Sequence, residues 1–157
     1  MAYQAMKEAY TLSGVAMPSM HGVEAASQSW EVGAILVMSS GSLAIGADDP
    51  TLATIVGVAR TAATGVTGAD VIFTPAVPGV VFEAHLDAGS GTTQLAQSMF
   101  YLRYGIELTS GKFFLDQSET TAIRATVVGF RDPIGTANGR VYFTFLPNAS
   151  PFTMTAV

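Results

Sequence analysis

Residues 79–147 constrain the fold more than any other part of this chain. Short runs rich in β-branched and aromatic residues follow one another at 79–86, 100–109, 112–115, 123–130 and 140–146, separated by Gly, Asp, Asn and Ser. Runs of that length bounded by turn residues read as consecutive strands. The alternation is cleanest at 79–86, where Val80, Phe82, Ala84 and Leu86 leave one face and Val81, Glu83 and His85 the other. The apolar faces around Phe82, Val128, Phe130, Tyr142 and Phe145 are expected to form core.

The pattern extends upstream. Residues 34–38 and 42–45 flank Ser39-Ser40-Gly41, a hairpin signal, and Ser110-Gly111 is a second one. Residues 54–59 read as a strand whose Gly57 marks a bulge or a close backbone approach. A strand at 70–74 stops at Pro75 and Pro78. Asn138-Gly139 favours a tight turn. One helical turn is expected over 94–98. The fold class is therefore all-β: a single compact β-barrel or sandwich over residues 31–157, with at most one or two short helical turns.

Residues 1–30 differ. They hold four of the seven methionines, and with them Tyr3, Tyr10 and Trp30. Ala2, Met6 and Tyr10 are spaced for a short amphipathic helix, after which Gly14, Pro18 and Gly22 break any regular element. Exposed Met and aromatic side chains are costly on a free tail. The expectation is an extended N-terminal arm whose Tyr3, Met6, Tyr10, Met17, Met20 and Trp30 contact a neighbouring subunit. Deleting residues 2–29 should then leave the β domain folded and abolish binding. Trp30 stands at the junction, as an anchor either for the core or for an interface.

Composition narrows the function. Only 12% of residues are charged, against roughly 25% in ordinary soluble domains. With 49% apolar residues, the surface must be Ser, Thr, Ala, Gly and Gln or be covered by neighbours, and the covered reading is preferred. The net charge is −5, and Lys7, Arg60, Arg103, Lys112, Arg124, Arg131 and Arg140 are scattered in sequence, so no nucleic-acid partner is expected. No apolar run approaches the ~18–20 residues of a membrane span, so no membrane partner is expected either. The N-terminus lacks a signal-peptide pattern, so synthesis in the cytoplasm without processing is expected.

Chemistry is nearly absent. The two histidines, His21 and His85, stand apart from any cluster with metal-ligand spacing. His85 is expected to make a surface hydrogen bond beside Glu83. Glu83 and Asp87 read as solvated carboxylates rather than a catalytic pair. No Gly-x-Ser-x-Gly elbow occurs. Residues 89–93 lack the Gly-Lys-Ser/Thr ending of a phosphate loop. No enzyme, metal or cofactor is expected.

The C-terminal half resembles the head decoration, or cement, proteins of tailed bacteriophages. The likeness rests on Phe82-Glu83-Ala84, Leu86-Asp87, Ser90-Gly91-Thr92-Thr93 with Leu95, Tyr104-Gly105-Ile106 and Phe114-Leu115-Asp116-Gln117-Ser118. Its strongest stretch runs over residues 127–143, from Val127-Val128-Gly129-Phe130-Arg131-Asp132-Pro133 to Asn138-Gly139-Arg140-Val141-Tyr142-Phe143. The resemblance implies a small β-tulip-like barrel on the outer surface of an icosahedral capsid. It implies the major capsid protein as partner, and trimers at local threefold positions or, second, dimers at twofolds. Such a protein bridges capsid subunits after expansion of the shell and stabilises their lattice. The residues leave two other readings open: another virion β module of the tail tube, head completion or fibre, and a carbohydrate-binding β domain using Trp30, Tyr101 or Tyr104.

Overall fold

The computed structural model describes residues 3–87 and 93–147, so residues 1–2, with Ala2 of the expected helix, residues 88–92 of the expected 87–93 loop, and residues 148–157 lie outside the described residues. Eleven strands are present among the described residues, in two antiparallel sheets. The six-stranded sheet runs in the order β1 (Lys7–Thr11), β7 (Val80–His85), β11 (Arg140–Phe145), β10 (Ala125–Phe130), β8 (Arg103–Thr109) and β9 (Lys112–Asp116). The five-stranded sheet runs β2 (Met20–Val23), β6 (Asp70–Pro75), β5 (Ile55–Ala59), β3 (Ile35–Ser39) and β4 (Ser42–Ile45). The only helical pieces in the described residues are 3-10 turns at Leu52–Thr54 and Gln97–Met99.

The barrel alternative gives way to a sandwich. Each sheet curls back on itself at one parallel bridge: Glu24 with Leu43 joins the two edge strands of the smaller sheet, and Leu86 with Leu115 joins the end of β7, next to the edge, to the edge strand β9 in the larger. Neither sheet closes into a ladder. Side chains from both sheets pack into one core, including Ile35, Leu36, Ile55, Phe73, Phe82, Ile106, Phe113 and Phe143. Phe82, Phe143 and Phe145 meet there with ring centroids 5.1–5.8 Å apart. Burying one such ring contributes roughly 2–3 kcal/mol.

The turns follow their residues. Ser40 and Gly41, like Ser110 and Gly111, both have positive φ, the geometry that a two-residue hairpin needs. At Gly57, Leu36 pairs with it and Val37 pairs with Ile55, so the ladder slips by one residue. A Cβ on Gly57 would sit 2.1 Å from the Thr74 carbonyl oxygen, so β5 and β6 approach closely there.

Three expectations are corrected. The first is the helix at the N-terminus: Lys7–Thr11 is a strand that pairs with β7, with a register shift between Glu8 and Tyr10. An isolated short helix is marginal, whereas a strand here satisfies the edge of β7. The second is the arm. Residues 3–30 supply an edge strand to each sheet, β1 and β2, so they are part of the sandwich and not an appendage to a domain that starts at residue 31. The third is one face of the closing strands. The core takes Val127, Val141, Phe143 and Phe145, while Val128, Phe130 and Tyr142 are half-buried. A shift between Val127 and Gly129 in the β10–β11 ladder interrupts simple alternation.

Candidate interaction surface

Two surface features draw on several elements at once. One is a polar cluster on the outer face of the six-stranded sheet. The other is an apolar ridge at the start of β8.

The polar cluster begins with β7, which is buried along its whole length. The core covers Val80, Phe82 and Ala84, and the N-terminal segment covers the opposite face. Tyr3 packs edge-on against His85 and Phe114 at 5.2 Å, and its hydroxyl accepts from Asn138 Nδ2 at 3.0 Å. Lys112 Nζ donates to the Tyr3 carbonyl at 2.9 Å. Glu83 and His85 are therefore buried rather than solvated. Asp87 is half-buried and accepts from Thr93 Oγ1 at 2.6 Å and the Gln117 amide at 2.8 Å.

Glu83 collects three cations: Arg140 at 3.3 Å, and Lys7 and Arg131 at 3.6 Å each. Cations scattered in sequence thus converge in space. Arg140 also donates to Asp132 through its backbone amide, Nε and Nη2, at 2.7–3.0 Å. The guanidinium hydrogen bond, outweighing desolvation, holds the Asp132 carboxyl down at about 2. The same bond raises the pKa of Arg140. His85 Nδ1 lies 2.8 Å from the Asn138 carbonyl, which can only accept, so Nδ1 carries the proton. Nε2 is buried with no hydrogen-bond partner, as are Tyr104 Oη and Thr74 Oγ1. Burial, reinforced by Asp87, raises the Tyr104 hydroxyl.

The ridge is built by backbone hydrogen bonds. The 3-10 turn at Gln97–Met99 is anchored by buried Met99. Tyr101 N donates to Val127 O at 2.9 Å, and Val127 N donates to Leu102 O at 3.0 Å. This pinning holds Tyr101 at φ +63°, a left-handed conformation costly for a bulky residue. Phe100, Tyr101 and Leu102 are all exposed, Tyr101 by 67%. The Phe100 and Tyr101 rings lie 4.2 Å apart, with Phe130 behind Phe100 at 6.5 Å. Leu95 exchanges backbone hydrogen bonds with Gly135 and Thr136 at 2.8 and 3.0 Å, which ties the ridge's loop to the 131–139 connection and its exposed Ile134.

The expected interface residues are distributed differently. Met6 and Trp30 are in the core, and the Trp30 indole donates to Thr61 O at 3.0 Å. Met17 and Met20 pack partly against the core, and Tyr3 covers His85. Tyr10 alone of the six stays substantially exposed, edge-on to Tyr142 at 5.4 Å. Among the possible carbohydrate platforms, Trp30 and Tyr104 are buried and Tyr101 is exposed. The ridge was hidden in sequence because Phe100 to Leu102 read as the start of a strand. Three consecutive large apolar residues before the alternation at Arg103 were the available signal.

Among the described residues no group of three His, Asp or Glu could hold a metal. Neither histidine has a serine or threonine hydrogen-bond partner there: His21 meets Asp70 at 3.0 Å and His85 meets Asn138. A cleft of about 160 Å³ lined by Val15, Pro18 and Val77 contains no titratable group, and one of about 220 Å³ beside Trp30 contains only Glu31. Small-molecule sites usually occupy about 300–1,000 Å³. No helix among the described residues is long and apolar enough to cross a membrane. In comparisons with known proteins, no family model and no curated protein matches the chain.

Proposed function

We propose that this is a non-enzymatic virion structural protein that binds the outer surface of an icosahedral capsid and stabilises the lattice of the major capsid protein after expansion, most simply as a trimer. The observation that carries the reading is the ridge Phe100-Tyr101-Leu102, an exposed apolar run that the fold maintains against the backbone cost at Tyr101. Large apolar side chains held rigid in solvent are the usual anchors of a protein interface. Low charge and the motif likeness between Phe82 and Phe143 support the same reading. The contact surface then belongs to the folded body, since most of the N-terminal Met and aromatic residues serve the protein's own core.

Co-sedimentation with expanded and unexpanded shells of the parent phage tests this. Saturable binding to expanded shells is expected. Tyr101→Gly should relieve the left-handed strain, leaving stability within about 1 kcal/mol of the parent, while weakening shell binding at least tenfold. Binding to neither shell form, or equal binding by the variant, would overturn the reading.

A further inference from the structure

We infer that the outer face of the six-stranded sheet is a docking site for an acidic protein segment, with Lys7 and Arg131 clasping one partner carboxylate above Glu83. The inference deepens the capsid-lattice reading and rests on it only for the identity of the partner.

Glu83 is 6% exposed, whereas Lys7 and Arg131 are 52% and 50% exposed. Lys7 Nζ approaches Oε1 and Arg131 Nε approaches Oε2, each at 3.6 Å. The two cations therefore flank one buried carboxylate, and that carboxylate fixes their spacing. Neither is saturated: among the described residues Lys7 Nζ has no partner besides Glu83, and the Arg131 side chain makes no hydrogen bond. Arg140, the third cation, is already engaged by Asp132 and by Gln4 Oε1. Three positive groups against Glu83 and Asp132 leave a local charge of +1, on a protein whose net charge is −5.

A local cationic excess with free N–H donors is complementary to a carboxylate. The side chains are already oriented by Glu83, so less rotamer freedom is lost on binding. Lys7, Glu83 and Tyr142 lie in register across β1, β7 and β11, and Tyr10 meets the Tyr142 ring. An aromatic wall therefore stands beside the charged clasp. Two free cations are too few for a polyanion, which the remaining net negative charge repels. A short acidic protein segment, offering one Asp or Glu carboxylate to the clasp, fits better than nucleic acid or a charged glycan.

The test is an NMR titration of the full chain, following the Arg131 Nε–H and the Lys7 region. The probes are a capped Glu-rich decapeptide, its Gln isostere and heparin. The Glu peptide is expected to shift both signals saturably, the Gln isostere to leave them unmoved, and 0.5 M NaCl to weaken binding at least tenfold. Lys7→Gln and Arg131→Gln should each weaken it about tenfold, with an unchanged amide spectrum elsewhere to show an intact fold. Arg131→Glu should abolish it. Equal response to the Gln isostere, unaltered binding by folded variants, or tighter binding of heparin at the same residues would overturn the inference. Peptide binding and shell binding are read separately, so either can fail without the other.

Discussion

The two sheets share a plan and differ in what they do with a buried carboxylate. Each takes one edge strand from the first 30 residues, and each curls back on itself at a single parallel bridge. In the five-stranded sheet the buried acid is Glu24, at the end of β2. Its oxygens accept from the Thr64 amide at 2.8 Å, Thr64 Oγ1 at 2.9 Å and the Gly65 amide at 2.6 Å. Desolvation pushes its pKa up, but these donors outweigh it and the net shift is downward. Neutral donors from one loop leave nothing over, and the site is sealed. In the six-stranded sheet Glu83 is held by three long cationic side chains, two of which reach solvent. A buried acid neutralised by cations leaves donors on the surface. Sealing and display are thus two outcomes of the same burial problem, decided by the partners' charge and length.

The junction between the sheets uses the first device again. Asp49 exchanges hydrogen bonds with Ile106, its amide donating to the carbonyl at 2.9 Å and Oδ1 accepting from the amide at 2.8 Å. Asp48 Oδ1 accepts from the Leu108 amide at 2.7 Å. Two turn carboxylates thereby satisfy amides of β8, which pairs with β10 through Arg103 and Tyr104 only. Arg124 anchors the same turn from the other side, donating to the carbonyls of Pro50 and Asp49.

The sharpest way to break the comparison is to damage one sheet alone. Gly57→Ala drives a methyl into the Thr74 carbonyl and should cost on the order of 4 kcal/mol in urea unfolding, by forcing β5 from β6. A cost below about 1 kcal/mol would mean that the close approach is not real. Glu83→Ala should cost about 2 kcal/mol, because it leaves the largely buried Arg140 and the half-exposed Lys7 and Arg131 without their shared countercharge. Added salt should recover part of that loss, and should recover nothing in Glu24→Gln, whose partners are neutral. An identical salt response in both variants would erase the distinction between the sheets.

Acid provides a weaker perturbation. Asp132 and Glu119 are held at about 2, below ordinary values of 3.8 and 4.5. Side-chain hydrogen bonds lead in both, from Arg140 and from Thr121 respectively. Their folded pKa values are depressed, so the stability they contribute is complete well above pH 4.5 and drains away as pH falls toward 2. Asp49 has the opposite sign: burial raises its pKa, so its protonation on acidification favours the fold and softens the loss. Thermal melts from pH 6 to 2 should show a falling midpoint, with a flatter profile for Asp132→Asn. The smallest effect is expected at Gly129, where a Cβ would meet the Tyr142 ring at 3.3 Å. Because that ring lies on the outer face and can tilt, Gly129→Ala should cost about 1 kcal/mol.

Much of the architecture was legible. The strands from residue 33 onward, both two-residue hairpins and the close approach at Gly57 are written in β-branched runs, turn residues and an isolated glycine. Strands β1 and β2 were not. Lys7-Glu8-Ala9-Tyr10-Thr11 carries weak alternation blurred by a bulge, and Met20-His21-Gly22-Val23 contains a glycine that only packing against Leu43 explains. Their strand state comes from partners more than 45 residues away, β7 and β6, and no local propensity encodes that. The candidate surfaces were harder still. The cluster at Glu83 joins Lys7 to Arg131 and Arg140 through long-range register. The ridge depends on a left-handed Tyr101, a position where sequence reading expects glycine or asparagine.

The central claim is that the N-terminal residues complete the sandwich, so that binding must use its folded surface. The direct measurement is the ¹H–¹⁵N spectrum and urea unfolding of a chain lacking residues 2–29, beside the full protein. That deletion removes β1, β2, the buried Met6 and the buried Glu24. The account predicts collapsed amide dispersion and no cooperative transition. A well-dispersed, cooperatively folded fragment that had lost only shell binding would contradict it and restore the N-terminal arm as the contact.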